Sequence, residues 1–439
     1  MRKVLNAEIY SAIKKYSTKK TARLSMPGHK GRNFLFKSLS RLDFTEVEEL
    51  DIFSAVKSAE KDLAKSVNAS FCRILSDGAT CGILSMISAV KNFGNKLVIS
   101  KNSHKSVYSG LKIFGIEPII LESQNSFSDI CPKELEKSFE NNSSLIGVLL
   151  NGIDYFGKSA CLNEVKNVCL KHNKLLLCDN AHGAHLYLKD FYAGNFADVW
   201  VDGAHKSLLT LNQGAIIFVK NENLVNLVES GAETFSTSSP SYPTLASVEY
   251  GFKFFNLNYK LYLNAENKVL SLAEKLNKIG IKTEIFQDKL KLNVLLAKSG
   301  ISVEKLRFAL KKYRVDAELI NKNVALFMFS PFNLKKDYSR LYKALKSIEK
   351  SQIEGKQVQV LLDRKMPYLT AINGPFKLVE IDNAIGKVSA CDVGVFPPCT
   401  PKITAGEEIS FEIIQLLKGE NVFGLENGKI RIVGEKDER

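Results

Sequence analysis

Between residues 71 and 219 the chain repeats one rhythm, a short apolar run followed by a stretch long enough for a helix. The runs are "FCRIL", "KLVIS", "EPIIL", "LIGVLL", "KLLLCD", "DVWVD" and "GAIIFV". A strand with one wet face alternates polar and apolar residues. These runs are nearly continuous, so both faces must be covered. Short apolar strands alternating with helices predict a parallel sheet with helices on both sides, in one doubly wound α/β domain of seven strands. Only about a dozen residues separate the last two runs, so "GAIIFV" is free to run antiparallel.

The remainder reads as satellites of that domain. Residues 1–45 form an N-terminal arm and 46–245 the large α/β domain. Residues 246–355 form a small α+β unit with helical patterns near 247–279 and 302–313, and 356–439 a C-terminal domain. "SGAETFSTSSPSYPTLAS", Ser230 to Ser247, reads as loop, and "GVFPPCTPKITAGEEIS" as too Pro-rich for regular structure. In "MRKVLNAEIYSAIKKYSTKK", Leu5, Ile9, Ile13 and Tyr16 are spaced for a helix packed on the protein, with no apolar core of a signal peptide. No apolar run approaches the ~20 residues of a membrane span. The eight cysteines show no C-x-x-C, which suits reduced, buried thiols in a cytoplasmic protein. The formal charge of +14 raises the question of nucleic acid, but the basic residues are dispersed and no nucleic-acid module is present. The same charge favours anionic small molecules.

Ligands of open α/β sheets bind outside the carboxyl ends of the strands. The first run ends in "SDGATCG", where Gly78, Ala79 and Thr80 open a helix whose amides and dipole suit an anion. The second ends in "SKNSHKS" with His104, the fifth in "CDNAHGAHL" with Asp179, His182 and His185, the sixth in "DGAHKS" with His205 and Lys206. Any one of these could be structural. Four His at neighbouring strand mouths, beside an acid and a Lys, mark a site. A metal centre on Asp179, His182 and His185 lacks a tight ligand spacing, so no metal is expected.

A phosphate-cradling helix start, an Asp at one strand end and a Lys at the next suit pyridoxal 5'-phosphate, carried covalently on the Lys. Asp179 would keep the ring nitrogen protonated. Lys206 would supply the amine, desolvated beside cationic neighbours. His104 would cover the ring face, and the Ala79–Thr80 helix start would bind the phosphate.

The motifs "SMPGHKG", "SDGAT", "KNSHKSVYSGL", "CDNAHGAHL", "GAHKSLL", "STSSPSY" and "FPPCTPKITAGEEI" occur in the order found in the Orn/Lys/Arg decarboxylase family, and the chain resembles its shorter bacterial branch. That resemblance implies a fold-type-I enzyme that uses pyridoxal phosphate to remove the α-carboxylate of arginine, lysine or ornithine. The product would be a polyamine precursor, and the working unit a homodimer with shared active sites. It also implies Lys206 for the covalent link, Asp179 for the ring nitrogen, His104 for stacking, and Thr80, His205 and the Ala79 backbone for phosphate. His182 belongs with the cofactor-binding residues, and Ser236 and Thr237 with a loop completing a neighbouring subunit's site. Glu46, Glu48 and Asp51, in the acidic segment "DFTEVEELD", would meet the substrate's cation. Ala79 and Gly203 stand where the family usually has Ser or Thr, Asn180 where an acid is common, Ile52 where a second Asp follows, and Ala405 where a Pro stands. An aminotransferase or elimination lyase of the same fold, or a catalytically silent homologue serving as a binding protein, are the rival readings.

Overall fold

The computed structural model describes residues 7–18, 27, 29–30, 37–44, 51–122, 130–351 and 360–434. Its centre is the expected seven-stranded sheet: β1 (Phe71–Leu75), β2 (Lys96–Ser100), β3 (Glu117–Leu121), β4 (Gly147–Asn151), β5 (Leu175–Asn180), β6 (Val199–Asp202) and β7 (Ala215–Val219). The strand order is β1-β7-β6-β5-β4-β2-β3. β7 pairs antiparallel with both β6 and β1, and every other neighbour is parallel. All strands except β7 therefore point the same way, and their carboxyl ends share one edge.

Every residue of β6 and β7 is buried, as continuous apolar runs require. The faces are covered by helices that include α1 (Glu8–Ser17), α2 (Lys37–Leu42), α3 (Ile52–Ser66), α4 (Gly78–Val90), α5 (Lys105–Phe114), α6 (Pro132–Asn141) and α7 (Leu162–Lys171). One core cluster runs through Val98, Leu176 and Trp200, and a second through Ile99, Leu177 and Val201 on the other face. Adjacent strand residues thus feed opposite layers. α4 lies directly on the sheet because Gly82 has no side chain. A Cβ there would come within 2.8 Å of Val201.

α1 packs on the protein through Ile9, Ile13 and Tyr16, as its spacing predicts. The buried carboxylate of Glu249 accepts from the N–H groups of Glu8 and Ile9, at 2.7 and 2.9 Å, and so closes the free N-terminus of α1. The short α8 (Ala204–Ser207) follows β6; α9 (Val225–Phe235) and α10 (Tyr242–Leu257) then occupy most of the stretch read as loop, leaving only 236–241 irregular. Pro243 sits in the first turn of α10, where it costs no hydrogen bond, so Ser and Pro there mark a helix start.

α11 (Tyr259–Lys278) crosses from one core to another. Tyr262 and Ala265 belong to the large-domain cluster, while Val269, Leu272 and Leu276 belong to the small one. The division therefore falls inside α11, later than the boundary at 245. The small unit pairs β8 (Thr283–Glu284), β9 (Lys291–Leu295), β10 (Leu319–Ile320) and β11 (Val324–Met328) in the order β10-β11-β9-β8. Over them lie α12 (Leu296–Ser299), α13 (Val303–Tyr313) and α14 (Lys335–Lys346).

The C-terminal part contains α15 (Tyr368–Asn373), β12 (Phe376–Glu380), β13 (Val393–Val395), β14 (Thr400–Ile403), α16 (Phe411–Leu417), β15 (Val422–Phe423) and β16 (Lys429–Val433). Two of these strands lie in the Pro-rich stretch that suggested no regular structure. Pro401 is tolerated because β14 is the edge of its sheet. This part docks on β3, where Glu117 accepts from the N–H groups of Tyr368 and Leu369. Buried Glu407 holds Lys101 and Arg364 across the same seam. None of the eight cysteines is in a disulfide. Cys161 is exposed and three others are half-buried, so burial of the thiols is only partial.

Candidate active site

The carboxyl ends of β6, β5, β4 and β2 are consecutive in the sheet, and each delivers one group to the same hollow. Register fixes the arrangement: Asn151 is level with Asp179, and Asp179 with Val201. β6 then turns at Gly203 into α8, which carries His205 and Lys206. A Cβ on Gly203 would lie 2.5 Å from the Ala181 carbonyl oxygen. This glycine lets β6 close on the chain leaving β5. It does not leave room beside the backbone, and a Ser or Thr hydroxyl at 203 has no place in this packing.

Lys206 extends its Nζ to within 3.2 Å of His182 Nε2. Burial pushes its amine below the ordinary lysine value, opposed by the negative charges of Asp179 and Glu318. Burial, with the charges of Lys291 and Lys206, also drives His182 far below the ordinary histidine range. A neutral imidazole within hydrogen-bond distance of the amine can share a proton with it. Among the described residues the buried His182 Nδ1 has no hydrogen-bond partner.

His104 closes the other side. It is the N-cap of α5, and its Nδ1 accepts from the Ser106 N–H at 3.2 Å with the Ser106 hydroxyl at 2.8 Å. That leaves Nε2 to carry the ring proton. Burial lowers the pKa of His104, with Asp179 opposing and Lys206 reinforcing, so the ring is a neutral plate held by a helix end. His205 Nδ1–H donates to the Gly214 carbonyl at 2.9 Å, and burial holds its pKa down. To serve an anion, its Nε2 must take up a proton. Asp179 is buried and accepts from the Ala181 N–H at 3.1 Å through one oxygen. Among the described residues its other oxygen has no hydrogen bond.

These observations test whether pyridoxal 5'-phosphate suits the residues present. Its aldehyde needs an amine that is not locked as a cation, which the burial of Lys206 supplies. Its ring needs a flat partner and an acid for the nitrogen, and His104 and Asp179 flank the amine with the required chemistry. Its phosphate needs free donors. The N-cap Asp77 makes no side-chain cap on α4, and the Gly78 N–H is taken by the Gln213 carbonyl at 2.8 Å. The Ala79 and Thr80 amides are thus left without a cap, in the positive end of the helix dipole. The residues fit.

The remaining residues of the sequence reading have these positions. Ser236 Oγ is 3.5 Å from Cys81 Sγ, on the first turn of its own chain's α4, and Thr237 is exposed. His185 faces away from Lys206, bonded through Nε2 to Asp288 at 3.0 Å. Asp51 is the N-cap of α3, accepting from the Ser54 N–H at 3.2 Å, and does not reach the Lys206 cluster. Glu46 and Glu48 lie outside the described residues. Asn180 donates to buried Asp202 at 2.6 Å, and Tyr192 donates to the same carboxylate at 2.6 Å, a brace beneath the strand ends.

Two site residues escaped the sequence reading. Tyr155, in the turn after β4, sets its ring edge-on to His182 with centroids 4.9 Å apart, and its hydroxyl donates to Glu318 at 2.5 Å. Glu318 comes from the small domain just before β10, more than a hundred residues after Lys206. Both line a cavity of about 670 Å³ that also reaches Asn151, Glu122, Phe396 and Lys402. A carboxyl end was searched for His, Asp and Lys; a Tyr there gave no signal. Glu318 arrives only by tertiary packing.

The sequence matches the Orn/Lys/Arg decarboxylase family, major domain, across residues 7–287. It is 25% identical to an arginine decarboxylase of Bacillus subtilis over 456 residues, covering 93% of this chain and 92% of that one. It is 24% identical to the uncharacterised protein YaaO of the same organism, covering 94% of each. The fold superposes on the lysine decarboxylase LdcF of Francisella novicida with a TM-score of 0.79 at 17% identity, covering 98% of this chain and 81% of that one.

Proposed function

As a member of the Orn/Lys/Arg decarboxylase family, the chain is a pyridoxal-phosphate-dependent carboxy-lyase of a basic amino acid, and we propose that Lys206, Asp179 and His104 form its working centre. The carrying observation is the desolvated Lys206 amine, 3.2 Å from His182 and flanked by Asp179. Lys206 would hold the cofactor's carbonyl carbon, Asp179 its ring nitrogen, His104 its ring face, and the Ala79 and Thr80 amides, with His205, its phosphate. When bound, the cofactor supplies an electron sink for the pair left by the departing carboxylate.

The chain's own residues do the rest. Lys206 would be a base and acid on the chain's side of the reaction. Burial lowers its pKa, which eases the loss of its proton. His182 holds the partner nitrogen of that exchange. Walls formed by His104 and Tyr155 exclude water from it.

A basic amino acid brings a distal cation, and Glu318 is the acid we assign to it. Its carboxylate faces Lys206 from the cavity side and is steadied by the Tyr155 hydroxyl. A CO2-release assay on the reconstituted protein with arginine, lysine and ornithine tests the reading. Keto-acid formation without CO2 from any of them would instead favour an aminotransferase.

We further propose a cytoplasmic homodimer, the products feeding polyamine synthesis. Eight cysteines with no disulfide among them support a reducing compartment. Exposed Leu209, Leu211 and Tyr250 sit together where the 208–214 segment packs on α10, the Leu211 N–H donating to Ser247 Oγ. Such an apolar face suits a second copy of the chain. An active monomer at assay concentration in sedimentation would exclude the dimer.

A further inference from the structure

The turn that carries Tyr155 belongs to the large domain, yet it is gripped by the small one. Within the turn, Asp154 Oδ1 accepts from the N–H groups of Phe156 and Lys158, at 2.9 and 2.8 Å, and Gly157 takes a left-handed φ of 97°. These bonds shape the loop, together with those from the Gly157 N–H to the Asp154 carbonyl at 3.2 Å and from the Asp154 N–H to the Lys158 carbonyl at 2.9 Å, and they leave carbonyls of the turn within reach of the small domain. Small-domain donors meet three of them. Lys291 Nζ donates to the Asp154 carbonyl at 3.0 Å, Asn293 Nδ2 to that of Phe156 at 3.0 Å, and the Asp288 N–H to that of Gly157 at 2.9 Å. A Cβ at Gly157 would lie 3.1 Å from Asp288 Cβ and 3.2 Å from Lys291 Cδ, so the contact is close along its length.

Lys291 is 1% exposed, a charge no sequence would bury on β9 for stability alone. It is compensated by Asp288, whose second oxygen is 3.7 Å from Nζ, and Asp288 in turn holds His185 of the large domain. The ammonium, carboxylate and imidazole form one buried cluster across the domain boundary, directly behind His182.

We propose that Lys291 is a positioning residue: with Asp288 and Asn293 it fixes the 153–159 turn so that Tyr155 keeps both its contacts, the hydroxyl on Glu318 and the ring against His182. The placement of the small domain is thereby transmitted to Lys206 through a single aromatic side chain. This rests on the reading of Glu318 as the group that meets the substrate's cation.

The experiment compares wild type, Lys291→Met, Tyr155→Phe and the double variant, with Lys298→Ala on the surface as control. In the apo-protein, hydrogen exchange at the Phe156 and Lys158 amides should speed up in Lys291→Met and stay unchanged in the control. In the loaded enzyme, Lys291→Met should raise KM for the basic amino acid about tenfold while kcat changes less, the pattern of lost uniform binding. The double variant should be no worse than the worse single, because both act through one contact. Unchanged exchange in Lys291→Met, or additive KM effects in the double variant, overturns the proposal. If Lys291→Met does not fold, Asn293→Ala carries the same comparison. Wild-type protein that turns over no basic amino acid refutes the functional reading, while the exchange measurement still decides the clasp.

Discussion

Lys206 Nζ and His182 Nε2 stand 3.2 Å apart at the mouths of β6 and β5, and burial disfavours a charge on either one. Burial lowers the affinity of both for protons, and the Lys206 charge lowers that of His182 further. The amine is thereby shifted toward its nucleophilic form.

The cofactor's phosphate cradle gives opposite expectations for two small residues. Ala79→Ser adds a hydroxyl at the open end of α4, and a hydrogen bond to a charged group contributes ~1.5–3 kcal/mol. Titration of the apo-protein with pyridoxal phosphate should show tighter binding, by about tenfold or more. Gly203→Ser instead drives a Cβ toward the Ala181 carbonyl, 2.5 Å away, and should lower Tm and weaken binding. Tightening at 203 would mean that the strand end yields to admit a side chain.

Recognition of the distal cation is assigned to Glu318. Glu318→Gln keeps the shape and the Tyr155 contact but removes the charge. KM for the preferred basic amino acid should rise about ten- to a hundredfold, with kcat much less affected. An unchanged KM would place the cation elsewhere.

Much of this was legible in the residues, for definite reasons. Continuous apolar runs admit few arrangements, so the seven strands and the antiparallel β7 followed from pattern and spacing. Strand ends concentrate function, so Asp179, His104, His182 and Lys206 were found by position. What stayed hidden depended on contacts between distant segments. Glu318 and Lys291 reach the site only because the small domain folds back on the turn after β4. Gly203 stands where the family usually has Ser or Thr, and only the fold shows why: the Ala181 carbonyl oxygen would lie 2.5 Å from a Cβ there. The Ser- and Pro-rich stretch before residue 247 read as loop, although Pro243 opens a helix. Asp51, read as a recognition acid, also caps a helix, which its sequence position alone did not show.

A stability effect away from the site follows from Glu60, which burial raises from its ordinary 4.5 to about 7 despite the nearby charge of Arg73. A carboxyl with a raised folded-state pKa binds its proton more tightly folded than unfolded. Its contribution to stability therefore grows as pH falls from about 7 toward 4.5, and is absent at higher pH, where ionisation of the buried group is a cost. Glu60→Gln keeps an acceptor for the Ile74 N–H, 2.9 Å from Glu60 Oε1. The variant should gain on wild type as pH rises from 5 to 8, by roughly 2–3 kcal/mol across that interval. Parallel Tm curves for the two proteins would show that Glu60 titrates normally.

The central claim is that Lys206 carries the cofactor covalently. Borohydride treatment of the reconstituted protein, followed by peptide mass mapping, reads this directly. The account predicts a pyridoxyl-phosphate mass on the peptide containing Lys206, its absence in Lys206→Ala, and an unchanged fold in that variant. Label on Lys105 or Lys291, or no label at all, would contradict it.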